Sequence, residues 1–174
     1  ETVASRPIRI VLLDEVDRFP NSSGSEGDPI ELARKRAATF WNRKIIMVST
    51  PTNKDASVVE DRYLASDQRK FHAVCEHCDA PQVLAWKGVQ WQKDKPETAG
   101  YVCERCGVVW DDAAKNRAVK NGFWKASAPF TGLAGFHISG LCSPWVSLEE
   151  TVKDFLAAKK LPELLKVWTN TFLG

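Results

Sequence analysis

Four of the five cysteines fall into two Cys-x-x-Cys pairs, Cys75 with Cys78 and Cys103 with Cys106, and 24 residues separate the pairs. Two such pairs suit one tetrahedral zinc ion, because each short loop sets two thiolates on one side of the metal at about 2.3 Å. A complete set of four sulfurs leaves no open coordination position, so the expected role is structural. Gly107 follows the second pair, where a tight knuckle favours a residue that tolerates positive φ, and Asp79 occupies the same place after the first. His72 and His77 lie nearby in sequence, but four thiolates leave them no vacancy. Redox-active or merely buried pairs are the competing reading. Cys142, alone between Leu141 and Ser143, reads as a small buried side chain. The odd cysteine count and the pairing point away from a secreted disulfide framework and fit a reducing cytosol.

A second constellation lies at Asp14-Glu15, immediately after the apolar run Ile8-Arg9-Ile10-Val11-Leu12-Leu13. In phosphate-loop nucleotide hydrolases an apolar strand delivers an Asp to its C-terminal edge to hold Mg²⁺, and an adjoining Glu can activate the attacking water. Strands also end in acidic turns without such a role. A second apolar run, Ile45-Ile46-Met47-Val48, follows at the spacing of a βαβ unit and ends in Ser49-Thr50-Pro51-Thr52, hydroxyl residues at the sheet edge where open α/β folds bind ligands. No Gly-x-x-x-x-Gly-Lys-Ser/Thr occurs in these residues, so the phosphate cradle is not encoded here. Arg34, Lys35, Arg36, Arg43 and Lys44 form a local basic cluster that either touches a phosphate backbone or solvates a helix face.

The elements that must position these residues follow from periodicity and caps. The run at 8–13 is apolar at nearly every position, as in a strand buried on both faces of a parallel sheet. Residues 21–27 read as a flexible loop. Asp28, Pro29 and Glu31 then spell a helix start, with Ala33, Ala37, Phe40 and Trp41 on one face. Ser57 and Glu60 open a short helix that should turn Val59, Tyr63 and Leu64 inward. Short strands and turns alternate from Phe71 to Trp110. Asp111 to Asn121 reads as a helix ended by a left-handed Gly122, and Ser147 with Glu150 caps one whose Leu148, Val152, Phe155 and Leu156 form an apolar stripe. Pro162 opens a last helix through Leu165 and Trp168. The seven tryptophans read as core and metal-module packing, with base stacking as the alternative.

The chain has 174 residues, 44% hydrophobic and 26% charged, enough to bury a core. A net charge of +2 implies neither nucleic-acid nor membrane binding by itself. No apolar stretch approaches the roughly 20 residues of a membrane-spanning helix. The chain begins at Glu1 and reads as a fragment of a larger protein.

The motifs in order are Leu-Leu-Asp-Glu-Val-Asp-Arg-Phe-Pro at 12–20, Glu-Gly-Asp-Pro at 26–29, Ser-Thr-Pro-Thr at 49–52, Ser-Asp-Gln-Arg at 66–69 and the four cysteines, then Ser-Gly-Leu-Cys-Ser-Pro-Trp at 139–145 and Asn-Thr-Phe-Leu-Gly at 170–174. Together they resemble the large terminase subunit of tailed bacteriophages, of the lambda type. The resemblance implies an ATP-driven motor that packages double-stranded DNA into procapsids, with a nuclease outside this chain. By that resemblance Asp14 is the magnesium ligand, Glu15 the catalytic carboxylate, and Ser49, Thr50 and Thr52 belong to the motif coupling hydrolysis to movement. It further implies ATP and Mg²⁺ as cofactors, double-stranded DNA, a small terminase subunit and the procapsid portal as partners, and the bacterial host cytoplasm as location. The fold expected is α/β. Residues 1–70 would be a partial phosphate-loop ATPase sheet, 71–110 an inserted zinc ribbon, and 111–174 a helical return ending the ATPase domain. A superfamily 2 helicase and a non-enzymatic zinc-ribbon adaptor are the alternatives.

Overall fold

The computed structural model describes residues 6–52 and 57–174 as a mixed α/β protein. Glu1 lies outside the described residues. The chain divides into two compact units, Glu1–Asp61 and Arg62–Gly174.

In the first unit, β1 (Ile10–Asp14) and β2 (Lys44–Val48) pair in parallel, with Leu12 opposite Ile46 and Asp14 opposite Val48. Parallel neighbours need a crossover, and α1 (Pro29–Ala37) supplies it. Asp28 starts this helix by accepting a hydrogen bond from the Ile30 amide at 2.8 Å, with Pro29 where its missing N–H costs nothing. Within the described residues one face of this sheet is covered. Val11 is buried, whereas Leu12 is 70% exposed and Ile10, Ile46 and Val48 share its open face. A single helix packed on two strands covers one side only. Because α1 stops at Ala37, Trp41 lies beyond its apolar face and is 92% exposed. α2 (Val58–Leu64) begins as expected, with the Glu60 amide donating to Ser57 Oγ at 3.1 Å. None of its residues is buried, however, and Leu64 points outward at 57% exposure.

The second unit is built around β3 (Arg69–Val74). It pairs antiparallel with β4 (Pro81–Gln82) and β8 (Phe123–Lys125) and parallel with β9 (Phe136–His137). A three-stranded antiparallel meander is formed by β5 (Val89–Gln92), β6 (Lys95–Val102) and β7 (Val109–Trp110). Three helices complete the unit: α3 (Asp112–Lys120), α4 (Leu148–Ala158) and α5 (Pro162–Trp168). One core holds them together, with Ala73 and Leu84, Val89, Tyr101 and Trp110 from the strands meeting Ala118, Leu141, Leu148 and Val152. Ser147 and Glu150 form the full capping box of α4, and Leu148 and Val152 are buried as its stripe requires.

Trp86, in the turn just before β5, packs against Phe155 and Trp168 at ring distances of 4.9 and 4.8 Å, joining that turn to α4 and α5. Trp110 is core, but Trp145 is 89% exposed, so not every tryptophan is spent on packing. Gly122 corrects another expectation. Its φ is not positive; a Cβ there would lie 2.6 Å from both the His72 carbonyl oxygen and the Phe71 ring, so closeness demands the glycine. Buried Asp67 explains part of the 66–69 motif: it pairs with Arg69 at 2.8 Å and accepts from the Gly135 amide. Buried Lys115 likewise explains part of 139–145, donating to the Ser143 and Val146 carbonyls at 3.0 and 3.2 Å and so fixing the loop that carries Trp145.

Candidate functional site

Parallel pairing of β1 with β2 brings the C-terminal ends of both strands to one edge. Asp14 ends β1 opposite Val48, so the Ser49–Thr52 segment leaves the sheet beside it. Asp14 and Glu15 are both exposed, and Ser49, Thr50 and Thr52 are half-buried. Glu15 adopts a left-handed conformation (φ 55°, ψ 44°), which costs a non-glycine residue on the order of 1 kcal/mol or more. That reversal ends the strand and starts a single turn of 3₁₀ helix over Val16–Arg18, anchored by Val16 at 1% exposure. Arg18 Nε meets the Glu15 carboxylate at 2.9 Å.

Sequence reasoning assigned nothing to Asp17, and the structure makes it the most connected group at this edge. Its amide donates to Ser49 Oγ at 3.3 Å. Its Oδ2 accepts from the Thr52 amide at 3.0 Å and from Thr52 Oγ1 at 3.3 Å, and its Oδ1 accepts from the Val59 amide at 2.8 Å. Burial works to raise its pKa, but the hydrogen bonds from Ser57, Val59 and Thr52 outweigh that and hold the carboxyl below its ordinary range. The one signal in the sequence was a third acid in Asp14-Glu15-Val16-Asp17.

Of the basic cluster, Arg34, Lys35, Arg43 and Lys44 are exposed and Arg36 is half-buried. Arg34 is paired with Glu31 at 2.7 Å, and Arg43 donates to the Phe40 carbonyl at 3.2 Å.

In the second unit, each cysteine pair sits at the tip of a hairpin, the first between β3 and β4 and the second between β6 and β7. The two tips repeat one hydrogen-bond pattern. Cys75 N–H donates to Ala80 O and Asp79 N–H to Cys75 O, while Cys103 N–H donates to Val108 O and Gly107 N–H to Cys103 O. Asp79 (φ 56°) and Gly107 (φ 72°) take the left-handed position in each knuckle, as their spacing suggested. Between the tips the Glu104 amide donates to buried Gln82 Oε1 at 3.0 Å.

All four sulfurs lie within 4.8 Å of one another, with Cys75–Cys106 and Cys78–Cys103 both at 3.9 Å. A tetrahedron with metal–sulfur bonds of about 2.3 Å has sulfur–sulfur edges of roughly 3.8 Å, so the cluster fits such an ion. Neither His72 nor His77 joins it; His72 stacks on Phe123 at 5.8 Å. The thiols respond unequally to their crowding. Against the Ala80 backbone contact, which lowers it, burial and three neighbouring sulfurs push Cys78 up to about 12. Burial also works to raise Cys103, but backbone contacts from Cys106 and Arg105 and the sulfurs of Cys106 and Cys75 bring it down to about 6. Cys142 is buried away from the cluster, and desolvation raises its thiol to about 11.

Residues 1–124 match the family model described as phage terminase large subunit gpA, ATPase domain. Residues 133–174 match the terminase large subunit gpA endonuclease domain, so part of the nuclease match falls within the chain. The join lies between β8 and β9, which both pair with β3, and the two matched segments therefore share one sheet and one core. The chain is 30% identical to the terminase large subunit of Enterobacteria phage P21 over 97% of its length, and 27% identical to that of Escherichia phage lambda over 92%. It spans about 30% of the length of these relatives. No solved structure matches it. By these matches the chain belongs to the lambda-type family of phage terminase large subunits.

Proposed function

We propose that this chain is the magnesium-side half of the ATPase of a viral DNA-packaging motor, continued into a zinc-stabilised module. The observation that carries the reading is the strand edge: Asp14 and Glu15 at the end of β1, followed by Asp17, which is hydrogen-bonded to Ser49 and Thr52 after the end of β2. Asp14 would hold Mg²⁺, which with ATP bound supplies charge neutralisation at the phosphates. Glu15 would orient and deprotonate the attacking water. Ser49, Thr50 and Thr52 would couple hydrolysis to movement. Cys75, Cys78, Cys103 and Cys106 would hold a structural Zn²⁺ as a zinc ribbon, because a full thiolate set leaves no position for water. Double-stranded DNA is the proposed substrate, met in part by Arg34, Lys35, Arg36, Arg43 and Lys44. The small terminase subunit and procapsid portal are the proposed partners, in the host cytoplasm. Among the described residues no helix is long and apolar enough to cross a membrane.

The test is a pair of substitutions in an intact large subunit that carries a phosphate loop. Asp14→Ala should weaken ATP binding together with turnover. Glu15→Gln should keep near-normal affinity yet slow single-turnover hydrolysis by about 10²- to 10⁴-fold and stall packaging. Hydrolysis at the parent rate in Glu15→Gln would remove its catalytic assignment. The isolated chain should not turn ATP over, since it encodes no phosphate cradle.

A further inference from the structure

We infer that Asp17 is the positioning residue of the strand-end site, the side chain that locks the turn carrying Asp14 and Glu15 to the Ser49–Thr52 segment. The inference rests on the ATPase reading and adds a residue to it.

Three observations carry it. Asp17 is bonded through its amide and both carboxylate oxygens: its amide donates to Ser49 Oγ, one carboxylate oxygen accepts twice from Thr52, the other accepts from Val59, and the Ser57 side chain adds a further bond to the carboxylate. Its partners lie 32 to 42 residues away in sequence, so the contact ties together segments that local structure leaves independent. It also stands only two residues beyond Glu15, whose left-handed backbone is kept in place by the next two side chains, buried Val16 and then Asp17. A left-handed glutamate persists only where its surroundings over-determine it. Moving Thr52 therefore moves Asp17, and with it the turn from which Glu15 projects.

A role confined to starting α2 does not account for this. Starting that helix uses the bonds from Val59 and from the Ser57 side chain, which leaves both Thr52 contacts and the Ser49 contact unexplained. A carboxylate serves both groups of donors at once because both of its oxygens accept. An asparagine has one accepting oxygen and turns its NH₂ toward the remaining donors.

Asp17→Asn in the intact subunit tests the assignment by steady-state ATP hydrolysis and by amide hydrogen exchange. Misplacing catalytic groups by about an ångström costs up to about 10²-fold in rate. The expected result is a kcat at least about tenfold lower, a KM for ATP within about threefold of the parent, and about tenfold faster exchange at the Thr52 and Val59 amides. Glu15→Gln should lower kcat with exchange at those amides unchanged. Parent-like kcat in Asp17→Asn overturns the inference, as does a loss that disappears after correction for the unfolded fraction seen in thermal melting. An intact parent subunit that hydrolyses no ATP would instead remove the reading on which the inference rests.

Discussion

The strand edge of the first unit and the cysteine cluster of the second are assembled in opposite ways. The cluster is self-contained: two hairpin tips with one hydrogen-bond pattern converge, Cys75 and Cys103 are buried in the core while Cys106 is exposed, and the four sulfurs lie within 4.8 Å of one another. The strand edge is open. Its carboxylates at Asp14 and Glu15 are exposed, and an exposed apolar sheet face formed by Ile10, Leu12, Ile46 and Val48 runs up to it. The difference shows what each arrangement is suited to. Local hairpins can complete a structural metal site, whereas chemistry on a ligand needs accessible groups held in place from a distance.

Removing metal should separate the two regions most sharply. A structural zinc of this kind contributes on the order of 10 kcal/mol to its module, comparable to the whole net stability of a single domain. Elemental analysis should find close to one zinc per chain, absent from a Cys78→Ser Cys106→Ser variant. Chelation should abolish the cooperative melting of the second unit, followed through the near-ultraviolet signal of buried Trp110 and the partly buried Trp86, Trp91 and Trp168. A metal-free chain with residues 71–110 still folded would erase the contrast, because the core would then hold the hairpins unaided.

The two knuckles offer a smaller and internal comparison. Gly107→Ala places a side chain at φ 72° and should destabilise the second unit by about 1 kcal/mol. Asp79→Gly relieves the same conformation at φ 56° and should leave stability unchanged or raise it by less than about 1 kcal/mol. Zinc-loaded protein melted in parallel gives the answer. Equal losses in both variants would show that the tips are not equivalent turns.

The smallest expected effect belongs to the strand edge. Because hydrogen bonds depress the Asp17 pKa, its contribution is fully present above the unfolded carboxylate value of about 4 and is lost as pH falls through the lower folded value. The Val59 amide resonance should therefore shift with a midpoint below that of an exposed aspartate. A midpoint at or above about 4 would mean that its donors do not hold the charged form.

What the amino-acid order determined by itself is local. Cysteine spacing set the two knuckles and their left-handed residues, Asp28 and Ser147 set two helix starts, and two apolar runs at crossover distance set the parallel pair. These features close within a few residues or follow one backbone period, so side-chain type is sufficient to specify them.

Tertiary structure decided everything that depends on a partner arriving from far along the chain. Asp17 meets Thr52 across 35 positions and Lys115 meets Ser143 across 28, and no local pattern announces either contact. Gly122 serves the approach of Phe71 and His72, not the helix end beside it. Trp110 is core and Trp145 is exposed although both are the same residue type, because burial is settled by which surfaces the finished fold leaves facing one another.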